Sequence, residues 1–221
     1  MVGYPQLLAK IAFAAKQAGR NPAEITLVAV SKGHTWEAAA SAYYEGCRQY
    51  GENRLAEALP KMAQAPKDID WHLIGTLQRN KVAKAVGQFA LIHSVDSPEL
   101  ANKISKISAE RGVVSKVLLQ VNTSGELSKH GYSVHEWESC IDQTALLPGI
   151  AIEGLMTMAP LDASEAEIRQ CFRSLRALRD SWQSRYSLHS LHHLSMGMSN
   201  DWELAVAEGA TILRIGSLLF N

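Results

Sequence analysis

Lys32 ends the run Ile25-Thr26-Leu27-Val28-Ala29-Val30-Ser31, a place that gives it chemistry a surface lysine lacks. The run is almost entirely apolar or β-branched, which predicts a strand buried on both faces. Ser31-Lys32-Gly33-His34 follows, and a helix opens at Thr35. An ammonium in a partly desolvated site loses pKa, and the neutral amine attacks carbonyls to form a Schiff base. A lysine snorkelling from the rim is the alternative. Far along the chain, Leu194-Ser195-Met196-Gly197-Met198-Ser199-Asn200-Asp201-Trp202-Glu203 ends a strand and starts a helix. Arg214-Ile215-Gly216-Ser217 ends another strand. Free backbone N–H groups and a helix dipole at such places bind a phosphate without any lysine. Ser199 adds a hydroxyl there, while Gly216 and Ser217 offer N–H groups at close approach. Arg214 cannot shed its proton and needs an acceptor if buried, a need that a pyridine nitrogen would meet. A Schiff-base lysine, a phosphate cradle and a ring-nitrogen donor together describe a site for pyridoxal 5′-phosphate.

Elements to position these groups recur in regular order. Strand candidates fall at 25–31, 47–50, 71–75, 89–94, 116–121, 151–157, 191–196 and 211–215. Helix signals lie between them. Thr35 precedes Trp36-Glu37, and Gly46 closes that helix. Ser97-Pro98-Glu99 opens another, with Leu100, Ile104 and Ile107 inward and Gly112 as its stop. Ser164 and Glu167 spell a capping box before Ile168, Cys171, Phe172, Leu175, Leu178 and Trp182 on one stripe. Asn200 and Glu203 repeat the signature before a short helix ended by Gly209. Strict alternation predicts a parallel sheet, and eight units predict a single α/β domain over 1–221, a closed (β/α)8 TIM-type barrel. An open doubly wound sheet is the alternative. In the barrel, function gathers where the strands end, and the phosphate site uses the loops after strands seven and eight.

Bulk properties exclude several classes. Among 221 residues, 22 Lys plus Arg balance 22 Asp plus Glu, so no net charge steers the chain to nucleic acid or an anionic membrane. Cys47, Cys140 and Cys171 are odd in number and lack a C-x-x-C pair, which predicts free thiols in a reducing cytoplasm. Leu7, Leu8, Ile11, Ala15 and Ala18 mark one face of an amphipathic helix interrupted by Lys10 and Lys16, not a signal peptide. No transmembrane span is expected. His192 and His193 are adjacent on a strand, face opposite ways and cannot share a metal ion. Met156, Met158, Met196 and Met198 have period-two spacing suited to lining a barrel. Arg79, Lys81 and Lys84 read as a solvated basic face.

The chain resembles the pyridoxal-phosphate homeostasis proteins (the YggS/PROSC group), which share the barrel of the alanine racemase N-terminal domain. The resemblance is carried by V-A-V-S-K, Y-G-E-N, W-H-L-I-G-T-L-Q-R-N-K, H-S-V-D, Q-V-N-T-S, G-L-M-T-M-A-P, L-S-M-G-M-S and R-I-G-S, in family order over nearly all of 25–220. It implies that Lys32 carries the cofactor and that Ser199, Gly216 and Ser217 hold its phosphate. It also places Arg214 at the pyridine nitrogen and Asn53 nearby. Gly33-His34-Thr35 replaces the family's Thr-Lys-Pro-like run, Ser217 replaces the commoner threonine, and Lys129 in Ser128-Lys129-His130-Gly131 matches a secondary anion contact.

Racemisation needs two bases on opposite faces of the bound substrate, and in alanine racemase the second is a tyrosine from a further β domain. This chain stops just after strand eight, so the expected role is to hold, buffer or deliver the cofactor without efficient catalysis. Apo enzymes are then the expected partners, and a monomer the expected state. A weak racemase and a Schiff-base aldolase acting on a phosphorylated sugar are the competing readings.

Overall fold

In a computed structural model, which describes residues 2–123 and 131–220, eight parallel strands close into a barrel. They are β1 (Thr26–Val30), β2 (Gln49–Glu52), β3 (Asp70–Leu73), β4 (Leu91–Val95), β5 (Ser115–Asn122), β6 (Ile150–Met156), β7 (His193–Ser195) and β8 (Ile212–Ile215). Each pairs with the next, β8 returns to β1, and β4 to β5 completes the ring. The pair Tyr132–Ser133 adds a short parallel bridge to the end of β5. The closed barrel stands, and the open doubly wound sheet is ruled out. Strand bounds move by one or two residues, as β2 does from 47–50 to Gln49–Glu52.

Ten helices accompany the strands among the described residues: α1 (Tyr4–Gln17), α2 (Trp36–Tyr44), α3 (Leu55–Gln64), α4 (Val82–Ala85), α5 (Pro98–Glu110), α6 (Val134–Glu138), α7 (Ile141–Ala145), α8 (Glu165–Arg185), α9 (Trp202–Ala207) and α10 (Ser217–Phe220). Alternation along the strands sorts residues between two cores. Leu27, Ala29, Leu119, Leu155 and Leu213 face outward and pack under the helices. Val28, Leu91, Leu118, Met156 and Ile212 face inward and form a small apolar plug, with Met158 against it.

The start signals were mostly sound. Thr35 Oγ1 accepts the Ala38 N–H at 3.4 Å, and Ser97 Oγ accepts that of Leu100 at 3.3 Å. At α8, the Ser164 N–H donates to Glu167 Oε2 at 2.8 Å while the Glu167 N–H returns to Ser164 Oγ at 3.4 Å. The signal at Asn200 and Glu203 fails. Asp201 precedes α9 instead, and its Oδ1 accepts the Met198 N–H at 2.5 Å, so the carboxylate closes the loop behind it. The face of α1 is narrower than expected, because Leu7, Ile11 and Ala15 are buried while Leu8 and Ala18 are exposed. A spacing of four keeps one narrow stripe inward, and Leu8 falls beside it. Cys47, Cys140 and Cys171 are free, and no helix is long and apolar enough to cross a membrane among the described residues.

Replacing Ser164 with alanine removes the box at the longest helix. Stability should fall by about 1 kcal/mol, seen as a lower urea midpoint. An unmoved midpoint would show that the cap contributes nothing.

Candidate functional site

The carboxyl ends of the strands surround a cavity of about 840 Å³. All six residues predicted for the site line it: Lys32 after β1, Asn53 after β2, Ser199 after β7, Arg214 within β8, and Gly216 and Ser217 just beyond. Arg214 is buried, Asn53, Ser199 and Gly216 are half-buried, and Lys32 and Ser217 are exposed.

Local geometry explains several of these positions. Lys32 projects from a tight turn in which the His34 N–H donates to the Ser31 carbonyl at 3.1 Å. Gly33 takes φ 76° there, a left-handed value that only glycine adopts cheaply. At the opposite wall, a Cβ on Gly216 would come within 2.7 Å of the Val30 carbonyl oxygen. Glycine therefore lets β8 close against β1 and brings its backbone to the cavity, with α10 starting at Ser217. The hydroxyls of Ser199 and Ser217 and this close backbone suit an anion.

Of the two alternatives for Lys32, the exposed rim lysine holds and the partly desolvated one does not, because the turn carries it past the strand end into an open mouth. Among the described residues the buried lysine is Lys61, only 6% exposed, from α3. Its ammonium pairs with Glu52, which is fully buried, and donates to the Ser31 carbonyl at 2.7 Å. Ser31 Oγ donates to Glu52 Oε1 at 2.6 Å. This knot joins the residue before Lys32 to the residue before Asn53, so it sets where both site residues leave their strands. Glu52 Oε2 has no hydrogen-bond partner among the described residues.

Arg214 is held from inside the barrel. Its Nη1 donates to Ser195 Oγ at 2.6 Å and its Nη2 to the Thr157 carbonyl at 3.0 Å. Burial pulls its pKa down to about 10, against the opposing charge of Asp201, so it remains a cation at neutral pH. Beneath it, His93 Nδ1 lies 2.8 Å from Ser195 Oγ, and His93 Nε2 lies 2.9 Å from His72 Nδ1. His72 Nε2 then meets Gln49 Oε1 at 2.7 Å. Burial depresses both imidazoles, His72 to about 4 and His93 well below its ordinary value. Both are neutral in the fold.

Sequence reasoning missed this polar column and the Glu52–Lys61 knot. The signal for the column was a histidine at an inward position of two apolar strands, Trp71-His72-Leu73 and Leu91-Ile92-His93. Tyr50, beside the site in sequence, faces outward and donates to the Ala39 carbonyl at 3.0 Å in the helix layer. Arg79, Lys81 and Lys84 are exposed, as a solvated face requires, and Lys81 also lines the cavity wall, as does Arg54. Met158 and Met198 line the cavity, Met156 is buried in the inward plug, and Met196 is buried in the outward core. His192 is exposed and His193 half-buried, and no metal-binding group of His, Cys, Asp or Glu forms among the described residues. Ser128, Lys129 and His130 lie outside those residues.

The column makes acid costly. His72 titrates near 4 when folded and near 6.5 when unfolded, so below pH 6.5 the unfolded chain takes up the proton first. The contribution is whole above pH 6.5 and is lost as pH falls toward 4, amounting to about 2 kcal/mol by pH 5. His93 acts in the same direction. The urea midpoint should drop between pH 7 and pH 5, and less steeply in His72→Gln. Parallel curves would show that His72 takes no part.

A sequence profile of the alanine racemase N-terminal domain matches residues 6–221. A pyridoxal phosphate homeostasis protein of Aquifex aeolicus is 42% identical over 98% of this chain and 95% of its own length. The structure of PipY from Synechococcus elongatus PCC7942 with PLP bound is 41% identical, with a TM-score of 0.86 over 96% of this chain and 100% of that one. An alanine racemase of Clostridium difficile 630 shares the barrel alone, at 16% identity and a TM-score of 0.73, over 96% of this chain and 55% of its own. With its barrel, its mouth and near full-length identity to such relatives, this chain belongs to the alanine racemase N-terminal domain family, in the group of pyridoxal phosphate homeostasis proteins.

Proposed function

We propose that this chain binds pyridoxal 5′-phosphate at the barrel mouth and holds, buffers or delivers it without efficient catalysis. The observation that carries the reading is convergence. Lys32, Asn53, Ser199, Arg214, Gly216 and Ser217 come from the ends of β1, β2, β7 and β8 and line one cavity. The relatives named for pyridoxal phosphate homeostasis and the PLP held by PipY support it.

Bound there, the cofactor supplies an aldehyde that an amine captures and a ring that withdraws electrons. Lys32 and Lys81 are the amines on the cavity wall, and Lys32, at the end of β1, would make the capture. Ser199, Gly216 and Ser217 offer hydroxyl and backbone donors to the phosphate, and Asn53 adds a polar side chain from the next strand end. Arg214 has five N–H donors, of which Ser195 and Thr157 engage two, and the rest would be free to serve the ring nitrogen.

The carrier reading follows from what these groups do to reactivity. A guanidinium donates a hydrogen bond without giving up its proton, and its charge opposes protonation of the ring nitrogen. Electron withdrawal by the ring then stays weak. Tyr50 is tied to the Ala39 carbonyl and is out of reach as a second base. His34 and Asn53 do line the cavity, so slow exchange of a substrate α-proton fits this site while turnover does not.

Borohydride should fix a covalent adduct on Lys32, and Lys32→Ala should abolish it; an adduct persisting on a peptide containing Lys81 or Lys129 would assign the role elsewhere. Loaded protein mixed with an apo enzyme should restore that enzyme's activity, with no steady-state racemisation, transamination or decarboxylation of its own. Turnover of any common amino acid at about 1 s⁻¹ or faster would overturn the carrier reading in favour of a pyridoxal-phosphate enzyme.

A further inference from the structure

The column beneath Arg214 can be given a direction, bond by bond. Gln49 provides the anchor. Its Nε2 donates to Asp70 Oδ2 at 2.8 Å, since a carboxylate only accepts. Flipping the amide would set two oxygens against each other, so Oε1 faces His72. His72 Nε2, 2.7 Å from that oxygen, must carry the proton. A neutral imidazole has one N–H, so His72 Nδ1 accepts, and the atom 2.9 Å away, His93 Nε2, must donate. His93 Nδ1 therefore accepts, and Ser195 turns its single hydroxyl proton toward it across 2.8 Å. Only lone pairs of Ser195 Oγ are then left for Arg214, whose Nη1 donates to it at 2.6 Å. No proton in the series has a second choice.

We propose that Gln49, His72, His93 and Ser195 are positioning residues, a one-way hydrogen-bonded chain through the barrel that fixes the guanidinium plane of Arg214 against the cavity. Two contacts hold that plane together with the side chain's own attachment at Nε: Ser195 Oγ under Nη1, and the Thr157 carbonyl under Nη2 at 3.0 Å. Every bond in the chain is polarised the same way, from the cation at the mouth to the Asp70 carboxylate at the opposite end of the barrel. Successive bonds of one sense strengthen each other in a low-dielectric interior. Reversing one of them would aim the Ser195 hydroxyl proton at a guanidinium N–H and break the register of donors above it.

The consequence for the ligand rests on the cofactor reading given above. A donor with a fixed plane selects a ring that presents an acceptor at one place, and it sets the electronic state in which the ring is held. Gln49, His72, His93 and Ser195 would thus tune the cofactor from below without touching it.

Long-range ¹H–¹⁵N correlation of the histidines at pH 7, in protein without added cofactor, reads the chain directly. Both His72 and His93 should carry their proton on Nε2 with Nδ1 bare. A proton on Nδ1 of either ring overturns the direction. The second arm uses Ser195→Ala and Ser195→Thr with pyridoxal 5′-phosphate. Alanine should move the absorption band of the bound cofactor and weaken its binding about tenfold, and threonine, which keeps the hydroxyl, should restore both. An alanine variant with an unmoved band and unchanged affinity overturns the positioning role. If Ser195→Ala does not fold, the tautomers in the unaltered protein decide. Wild-type protein that shows no cofactor band at all would overturn the cofactor reading instead, leaving the chain to be judged by its tautomers.

Discussion

A guanidinium keeps its charge across the pH range a protein meets, so burying Arg214 in a barrel wall obliges the fold to supply acceptors for it. The interior of such a barrel is ordinarily filled by branched apolar side chains. Here the apolar plug is confined to Val28, Leu91, Leu118, Met156 and Ile212, and a polar column runs beside it. Ser195 and the Thr157 carbonyl meet the guanidinium, His93 meets Ser195, His72 meets His93, and Gln49 carries the series to the far end. Each member is there because the one before it would otherwise be an unsatisfied buried polar group, which costs more than its hydrogen bond contributes. One charged residue at the mouth thus dictates chemistry through the height of the barrel.

The other wall is organised by a second buried polar unit. Glu52 and Lys61 make an ion pair that Ser31 completes, and the two strand ends it ties together lead into Lys32 and Asn53. Such a pair adds little net stability over well-packed apolar residues, but removing one partner strands the other charge. Its value here is geometric. Lys61 reaches back from α3 to the end of β1, so a helix packed outside the barrel helps decide where the site lysine begins its turn.

The barrel was legible because burial imposes periodicity. Parallel strands covered on both faces read as apolar runs, and capping chemistry at Thr35, Ser97 and Ser164 marks helix starts locally. The six candidate residues stand in motifs at strand ends, and the fold brings them to one cavity. What escaped depended on partners remote in sequence. Nothing near His93 announces Ser195, 102 positions away, and nothing near Lys61 announces a carboxylate inside β2. Asn200 failed as a cap because Asp201 competes for the same loop. The exposure of Lys32 stayed open in the sequence for a related reason: a buried strand says where its own residues lie, and the turn after it obeys φ at Gly33 instead.

The two walls differ in kind, and that difference bears on the proposed role. Arg214 is buried and held at two points, while Lys32 is exposed on a glycine turn. A buried group held at two points resists displacement, because moving it would leave those donors unpaired. An exposed amine is open to competing amines and to water. In a carrier these properties are complementary. Under the proposed role, the rigid wall would recognise ring and phosphate without reacting, and Lys32 would offer its covalent bond on the accessible side, where another protein's lysine could compete for the same carbon. An enzyme would need the reverse, a shielded amine and a wall that feeds charge into the ring. The distribution of burial around this cavity therefore favours holding and release over turnover.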